Sequence, residues 1–195
     1  MRKVGVLIEA HYDETEYNMF NEAFTKDGYG LEYISYLWGQ DFLKFSGNDQ
    51  TSEAVVDKCV TKADIGDYSA VILIGGYATD RLRYQADIAQ DVPNSSPAVA
   101  FLRKAVAEAD AGRLVIGAIC HSLWLFCADR SLLAGRRVTC AHNIVCDVEN
   151  AGGVVLYEGT QTKDVVVDGG LVTAKHPGVT ELFIQTLKTE MQRIN

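Results

Sequence analysis

Residues 114–119 read Leu-Val-Ile-Gly-Ala-Ile and run without a polar break into Cys120-His121-Ser122. Six apolar residues with no alternation fit a strand covered on both faces, as in a parallel sheet. The residues two before and two after the cysteine, Ala118 and Ser122, are small. A strand that turns sharply into a helix brings neighbouring backbone close and leaves little room for Cβ bulk. Small-x-Cys-x-small therefore fits a nucleophile elbow. A helix expected to run to about Ala128 would set its N-terminal N–H groups against the thiol and favour a thiolate. The same run also fits a buried cysteine that merely ends a core strand.

The flanking segments repeat the pattern. Residues 4–8 (Val-Gly-Val-Leu-Ile) and 68–74 (Tyr-Ser-Ala-Val-Ile-Leu-Ile) are further apolar runs, the second ending on Gly75-Gly76, and residues 31–37 read as another strand. Asp13-Glu14-Thr15-Glu16 starts a helix with Asp13 as N-cap and Glu16 three residues on; Tyr17, Phe20 and Phe24 form its apolar face. Ser96-Pro97 opens a helix with Val99, Leu102, Val106 and Ala109 on one side. Phe183, Leu187, Met191 and Ile194 share a face after Pro177. Residues 38–50 read as a long loop or small excursion, either a surface hairpin or a segment that shapes a site. Residues 52–62 and 143–151 read as short helices. Residues 164–167 and 171–174 form a hairpin through Asp168-Gly169-Gly170. Strands alternating with helices predict a single α/β domain over residues 1–195. Its sheet is mainly parallel, with helices on both faces and a C-terminal β-hairpin.

The formal net charge of −8 and the lack of a basic stripe argue against nucleic acid and anionic membranes as partners. The apolar run after Met1-Arg2-Lys3 is too short for a signal peptide or a membrane span, so a cytoplasmic protein is expected. The five cysteines, at 59, 120, 127, 140 and 146, include no Cys-x-x-Cys pair and read as free thiols. Neither a metal nor a cofactor is expected: no ligand cluster surrounds the elbow, and the loop after the first strand, Glu9-Ala10-His11, is not glycine-rich.

In such a sheet, ligands bind outside the carboxyl ends of the strands. Three of those ends deliver Glu16, Gly75-Gly76 and Cys120-His121. A nucleophilic thiol needs a proton acceptor and an oxyanion hole. The backbone N–H of His121, with one from Gly75 or Gly76, fits the hole. Each residue also has a plainer reading: Glu16 as the N3 residue of a capping box, His121 as a surface histidine, and the glycines as an ordinary turn.

Taken together, these residues resemble the PfpI (intracellular protease I) branch of the ThiJ/PfpI superfamily, which is related to class I glutamine amidotransferases. The matching stretches include Tyr12-Asp13-Glu14-Thr15-Glu16, Gly75-Gly76-Tyr77-Ala78-Thr79-Asp80-Arg81, Ala118-Ile119-Cys120-His121 and Asp147-Val148-Glu149-Asn150-Ala151-Gly152. The resemblance implies a flavodoxin-like three-layer sandwich that assembles as a homodimer or larger homo-oligomer around the elbow. It implies Cys120 as nucleophile, Glu16 as an acid that stays protonated beside it, and His121 as the adjoining base. Asp80 stands where an acid from a neighbouring subunit completes the set. Two departures matter. Ser122-Leu123-Trp124 replaces the usual Gly-Pro after the histidine and is expected to change the pocket wall. Asp80 is one methylene shorter than the usual Glu. His142 reads as a polar residue flanking a helix.

The leading expectation is a cysteine-nucleophile enzyme, a hydrolase or amidase or an enzyme of the glyoxalase/deglycase kind. It would act on peptide or amide bonds or on reactive aldehydes and their adducts, in a stress or detoxification role. The substrate is then a small molecule or peptide. The alternatives are a redox-sensing or protective protein whose Cys120 is oxidised without turnover, and a non-catalytic, chaperone-like oligomer.

Overall fold

The structure, a computed structural model, describes residues 3–194. In chain order the elements are β1 (Lys3–Leu7), α1 (Glu14–Lys26), β2 (Gly30–Ser35), β3 (Leu43–Ser46), β4 (Glu53–Val56), β5 (Lys58–Cys59) and β6 (Tyr68–Leu73). Then follow α2 (Ala78–Leu82), α3 (Pro97–Asp110), β7 (Val115–Ile119), α4 (Trp124–Cys127), β8 (Arg137–Val138) and α5 (Val145–Asn150). The chain ends with β9 (Val154–Val155), β10 (Tyr157–Glu158), β11 (Gln161–Thr162), β12 (Val165–Asp168), β13 (Leu171–Ala174) and α6 (Thr180–Arg193).

Seven strands form the central sheet, in the order β12-β13-β7-β6-β1-β2-β5. Its pairs are parallel except β12 with β13, the expected C-terminal hairpin. The apolar runs lie at its centre. Val4, Val6, Val71, Ile72 and Val115 are fully buried, which is why these strands need no polar alternation. Helices flank the sheet. The α1 and α6 apolar faces meet through Phe20 and Phe183, whose ring centroids are 6.2 Å apart. At Gly117 a Cβ would lie 2.7 Å from Phe183 Cζ, so this glycine lets α6 ride close over β7.

Two expectations are corrected, and of the readings of residues 38–50 the hairpin is the one found. Residues 52–62 are not helical: they form β4, β5 and a 3-10 turn, Val60–Lys62. Glu53 and Val55 are exposed while Ala54 and Val56 are buried, the period-two pattern of a half-buried strand. The segment at residues 38–50 carries β3, which pairs antiparallel with β4. The helix after the elbow is a single turn, α4, where a run from Cys120 to Ala128 was expected.

Candidate active site

The bend after β7 is a strained elbow. Cys120 has φ 61°, a left-handed conformation that costs a non-glycine residue roughly 1–3 kcal/mol and persists only where neighbours enforce it. Two hydrogen bonds do so. The Cys120 N–H donates to the Ala174 carbonyl at 2.8 Å, and its carbonyl accepts from the Ala141 N–H at 3.2 Å. Ala118 and Ser122 are both buried, as the tight turn requires.

The second of those bonds also draws the segment after β8 onto the elbow, and so sets Asn143 beside His121. The Cys120 Sγ lies 3.2 Å from His121 Nδ1, and His121 Nε2 lies 3.0 Å from Asn143 Oδ1. An amide oxygen only accepts, so Nε2 carries the ring proton and Nδ1 presents its lone pair to the thiol. Tyr77 stacks on the ring at 5.6 Å and 17°, and Trp124 covers it at 5.1 Å. Burial pushes the His121 pKa down, which keeps the imidazole neutral and able to accept a proton. Cysteine, histidine and asparagine stand here in the order of one variant of the nucleophile triad.

Asp13 is the N-cap of α1 as expected: its Oδ1 accepts from the Glu16 N–H at 3.0 Å. The Glu16 side chain does not return to close a capping box. It is fully buried, and Oε2 accepts from the Gly75 N–H at 2.6 Å, while Oε1 has no partner. From the point where Gly75 would carry a Cβ, Glu16 Oε1 is 2.6 Å away and the Cys120 Cβ 2.9 Å away. Glycine at this position thus lets the carboxyl and the cysteine share one small space. Burial, and then the nearby Asp13, raise the Glu16 pKa well above the usual carboxylate range and favour the protonated carboxyl. Because Oε2 is an acceptor, the proton resides on Oε1.

The backbone N–H groups of Gly76 and His121 face the sulfur. These two can hold an oxyanion; the N–H of Gly75 is already committed to Glu16. Gly76 has φ 70°, and a Cβ there would lie 2.3 Å from the His11 carbonyl, so the close approach of the two loops requires glycine. Burial, and then the neighbouring Glu16, push the Cys120 thiol up to about 12. Burial thus opposes the thiolate that the elbow was expected to favour. One helical turn offers little dipole, and burial outweighs the two N–H groups.

Asp80 does not reach His121 of its own chain. It is paired with Arg83, at 2.5 Å to Nη2 and 3.0 Å to Nε. Leu123 is part of the core and Trp124 backs the His121 ring, so the unusual residues after the elbow support the imidazole instead of walling the pocket. Two site residues escape sequence reasoning. Asn143 lies where a helix start was read, and Asn48 comes from the β3–β4 turn. Both line a cleft of about 530 Å³ that opens over Cys120 and His121. The cleft answers the question about residues 38–50: they form a hairpin, and its tip also shapes the site. Among the described residues no group of three His, Cys, Asp or Glu side chains is placed to hold a metal ion, and no helix is long and apolar enough to cross a membrane.

Comparison with known proteins identifies the family and the fold. "Putative cysteine protease YraA" of Bacillus subtilis is 27% identical over 182 residues, 93% of this chain and 94% of that protein. "Protein/nucleic acid deglycase 2" of Escherichia coli is 28% identical over 177 residues, 90% of each chain. Among solved structures, a ThiJ/PfpI domain protein from Brachyspira murdochii superposes with TM-score 0.80 at 16% identity, covering 100% of this chain and 98% of that one. A two-domain protein from Anabaena variabilis, with DJ-1/ThiJ/PfpI-like and ferritin-like domains, superposes with TM-score 0.82 at 24% identity. The match covers 98% of this chain and 48% of that larger one. The model of the DJ-1/PfpI family matches residues 2–190, and the chain belongs to that family.

Proposed function

We propose that the protein is a cysteine-nucleophile enzyme that attacks carbonyl carbon, with Cys120, His121 and Asn143 as its working set. The observation that carries this is the pair of contacts through one imidazole, 3.2 Å to Sγ and 3.0 Å to Asn143 Oδ1, at a cysteine held in a strained elbow. In attack, the sulfur forms a bond to the carbonyl carbon, the thiol proton passes to His121 Nδ1, and the carbonyl π pair moves onto oxygen. The oxyanion is held by the N–H groups of Gly76 and His121. The imidazolium then returns its proton to an amine leaving group or to the alkoxide. Asn143 holds the ring in the tautomer this requires. It takes the place in the single chain that the resemblance gave to an acid from a neighbouring subunit.

Relatives named as a cysteine protease and as a deglycase support two electrophiles, the amide and the 2-oxoaldehyde or its early adduct. Both have a carbonyl carbon that this arrangement can attack. The test is turnover of methylglyoxal, of a methylglyoxal-modified amine and of a peptide amide by wild type and by Cys120→Ala. Loss of all turnover in the variant is expected; turnover that survives it overturns the reading.

A second reading has its own observation. The protonated Oε1 of Glu16 has no partner and lies beside the cysteine. An O–H there would stabilise a Cys120 sulfinate formed by two equivalents of peroxide. Gain of two oxygens at Cys120, lost in Glu16→Ala, is the outcome that favours it. A General stress protein 18 of Bacillus subtilis, 27% identical, is compatible with either reading.

A further inference from the structure

The cleft over Cys120 has an unequal supply of hydrogen-bonding groups. Its lining contains three of the four histidines in the sequence, His121, His142 and His176, together with Lys175. Its one carboxylate is Asp13, whose Oδ1 is already occupied by the Glu16 N–H. Internal contacts fix the sense of several other groups; the Thr162 hydroxyl, which donates to the Cys140 carbonyl at 3.0 Å, is left as an acceptor. His176 Nδ1 accepts from the Gly178 N–H at 2.9 Å, so its Nε2 carries the proton and can only donate. Asn143 spends its oxygen on His121 Nε2–H, which leaves its amide N–H groups to donate. Asn48 joins the lining from the β3–β4 turn. Lys175 is held at the wall by Asp164, 2.7 Å away, and by the Thr162 carbonyl at 3.3 Å. A chain with net charge −8 has thus gathered donors and a cation at the mouth of its nucleophile.

We propose that the site is built for substrates with a carboxylate on the atom next to the carbon that Cys120 attacks. This deepens the cysteine-nucleophile reading and rests on it. A carboxylate offers acceptors only, and so matches the His176 imidazole N–H and the Asn143 amide N–H groups, which an alkyl group would leave unsatisfied and a neutral amide, with one acceptor oxygen, would satisfy only in part. The lining contains no arginine, so the bidentate fork that selects phosphate is missing from it. A 2-oxo acid or the aldehyde acid related to it has this geometry; a neutral 2-oxoaldehyde does not.

Iodoacetate and iodoacetamide test the proposal directly. They are nearly equal in shape, and each has the charged or neutral group on the atom next to the carbon attacked. In both, an S–C bond forms, the C–I bond breaks, iodide leaves, and the thiol proton goes to His121 and then to solvent. The two rate constants at Cys120 are read by peptide mass spectrometry, and their ratio is compared with that of N-acetylcysteine. Cys146 of the same chain, an exposed free thiol, reports how the overall negative charge treats each reagent.

The normalised iodoacetate preference at Cys120 is expected to be about tenfold or more, the scale on which a focused field raises local ligand concentration, while Cys146 shows none. The preference is expected to fall in His142→Gln, His176→Gln and Lys175→Gln. It should remain in Lys104→Gln, which removes the same charge from the exposed side of α3. A ratio near or below one, or a preference that survives the three cleft substitutions together, overturns the carboxylate proposal and leaves the nucleophile intact. If the folded protein is labelled at Cys146 but by neither reagent at Cys120, the nucleophile reading fails and the proposal falls with it. Protection of Cys120 by acetate and not by inorganic phosphate is the expected result in a competition arm. The reverse result would overturn the choice of carboxylate over phosphate.

Discussion

The proton on His121 Nε2 decides what the imidazole can do, and Asn143 Oδ1 decides that this nitrogen carries it. Replacing Asn143 by Ala frees the ring to adopt the other tautomer, which would direct an N–H at the thiol. We expect kcat to fall roughly 10- to 100-fold, less than the loss of a general base itself. Asn143→Asp gives a test that a merely structural role would not pass. A carboxylate beside Nε2–H favours imidazolium and raises the His121 pKa. Because the proposed attack needs the neutral ring, the acid limb of the kcat profile should move to higher pH. An unmoved limb would remove Asn143 from the mechanism. Asp80→Asn, whose carboxylate is engaged with Arg83, should leave the single-chain chemistry within about twofold on the same scale.

Cys120, His121, Glu16 and Gly76 were legible because each lies at a strand end with its chemistry in the local pattern. Asn143 was not. Nothing near it in sequence marks it, and it reaches His121 only because the Ala141 N–H binds the Cys120 carbonyl. The protonation state of the thiol was hidden for a related reason, since burial is a property of the packed molecule. Alkylation of Cys120 by iodoacetamide should accordingly accelerate only well above the ordinary thiol value of about 8.5, with an apparent pKa toward 12. A midpoint below 8.5 would restore the thiolate expected from the elbow alone.

At the scale of elements, the β3–β4 hairpin shows how an apparently peripheral segment becomes part of a site. Its turn lies over the N-terminus of α1, where Glu14 is buried. The Glu14 carboxylate accepts the N–H groups of Asp49, Thr51 and Ser52 and the Thr51 hydroxyl, at 2.7 to 3.2 Å. The Asn48 N–H donates to the Tyr12 carbonyl at 2.9 Å, and the Tyr12 hydroxyl meets Ser52 Oγ at 2.8 Å. Gly47 completes the fit, because a Cβ there would lie 2.3 Å from the Glu14 carboxyl carbon. In the sequence Glu14 shows only as an acidic residue in a first helical turn, and the hairpin only as polar residues around Phe42 and Phe45. The pairing of the two is tertiary and leaves no periodic trace.

Glu14→Gln puts an NH₂ group where one carboxylate oxygen accepts and leaves buried N–H groups unsatisfied. Unfolding by denaturant should show a loss of roughly 1–3 kcal/mol. If stability is unchanged, the carboxylate does not hold the hairpin. Burial pushes the Glu14 pKa up, but the four donors together outweigh it and lower the value. Its share of stability is therefore present above the unfolded carboxylate value and fades as pH falls through the lower folded one.

For the whole molecule, Glu16 acts in the opposite sense. It is an acid whose folded pKa is raised, because the sheet, α1 and the elbow enclose it completely. Below the unfolded value of about 4.3 both states hold the proton, and burial of the carboxyl has no pH-dependent cost. Above that value the unfolded chain releases the proton while the folded chain keeps it. Folding must then take a proton from water, and stability declines until pH passes the folded pKa. Glu16→Gln removes this linkage. It preserves an oxygen for the Gly75 N–H and remains neutral at every pH. The variant should therefore be more stable than wild type near pH 7.5, and the advantage should disappear near pH 4. Denaturant unfolding at both values, in wild type and variant, checks the prediction. An advantage of equal size at the two pH values would point to packing as its cause. A loss at pH 7.5 would mean that Glu16 is ionised in the folded protein and that the neutral carboxyl beside Cys120 is wrong. The predicted result describes a molecule less stable at neutral pH for the sake of one proton, held where the strained elbow, the paired glycines and the first helix converge.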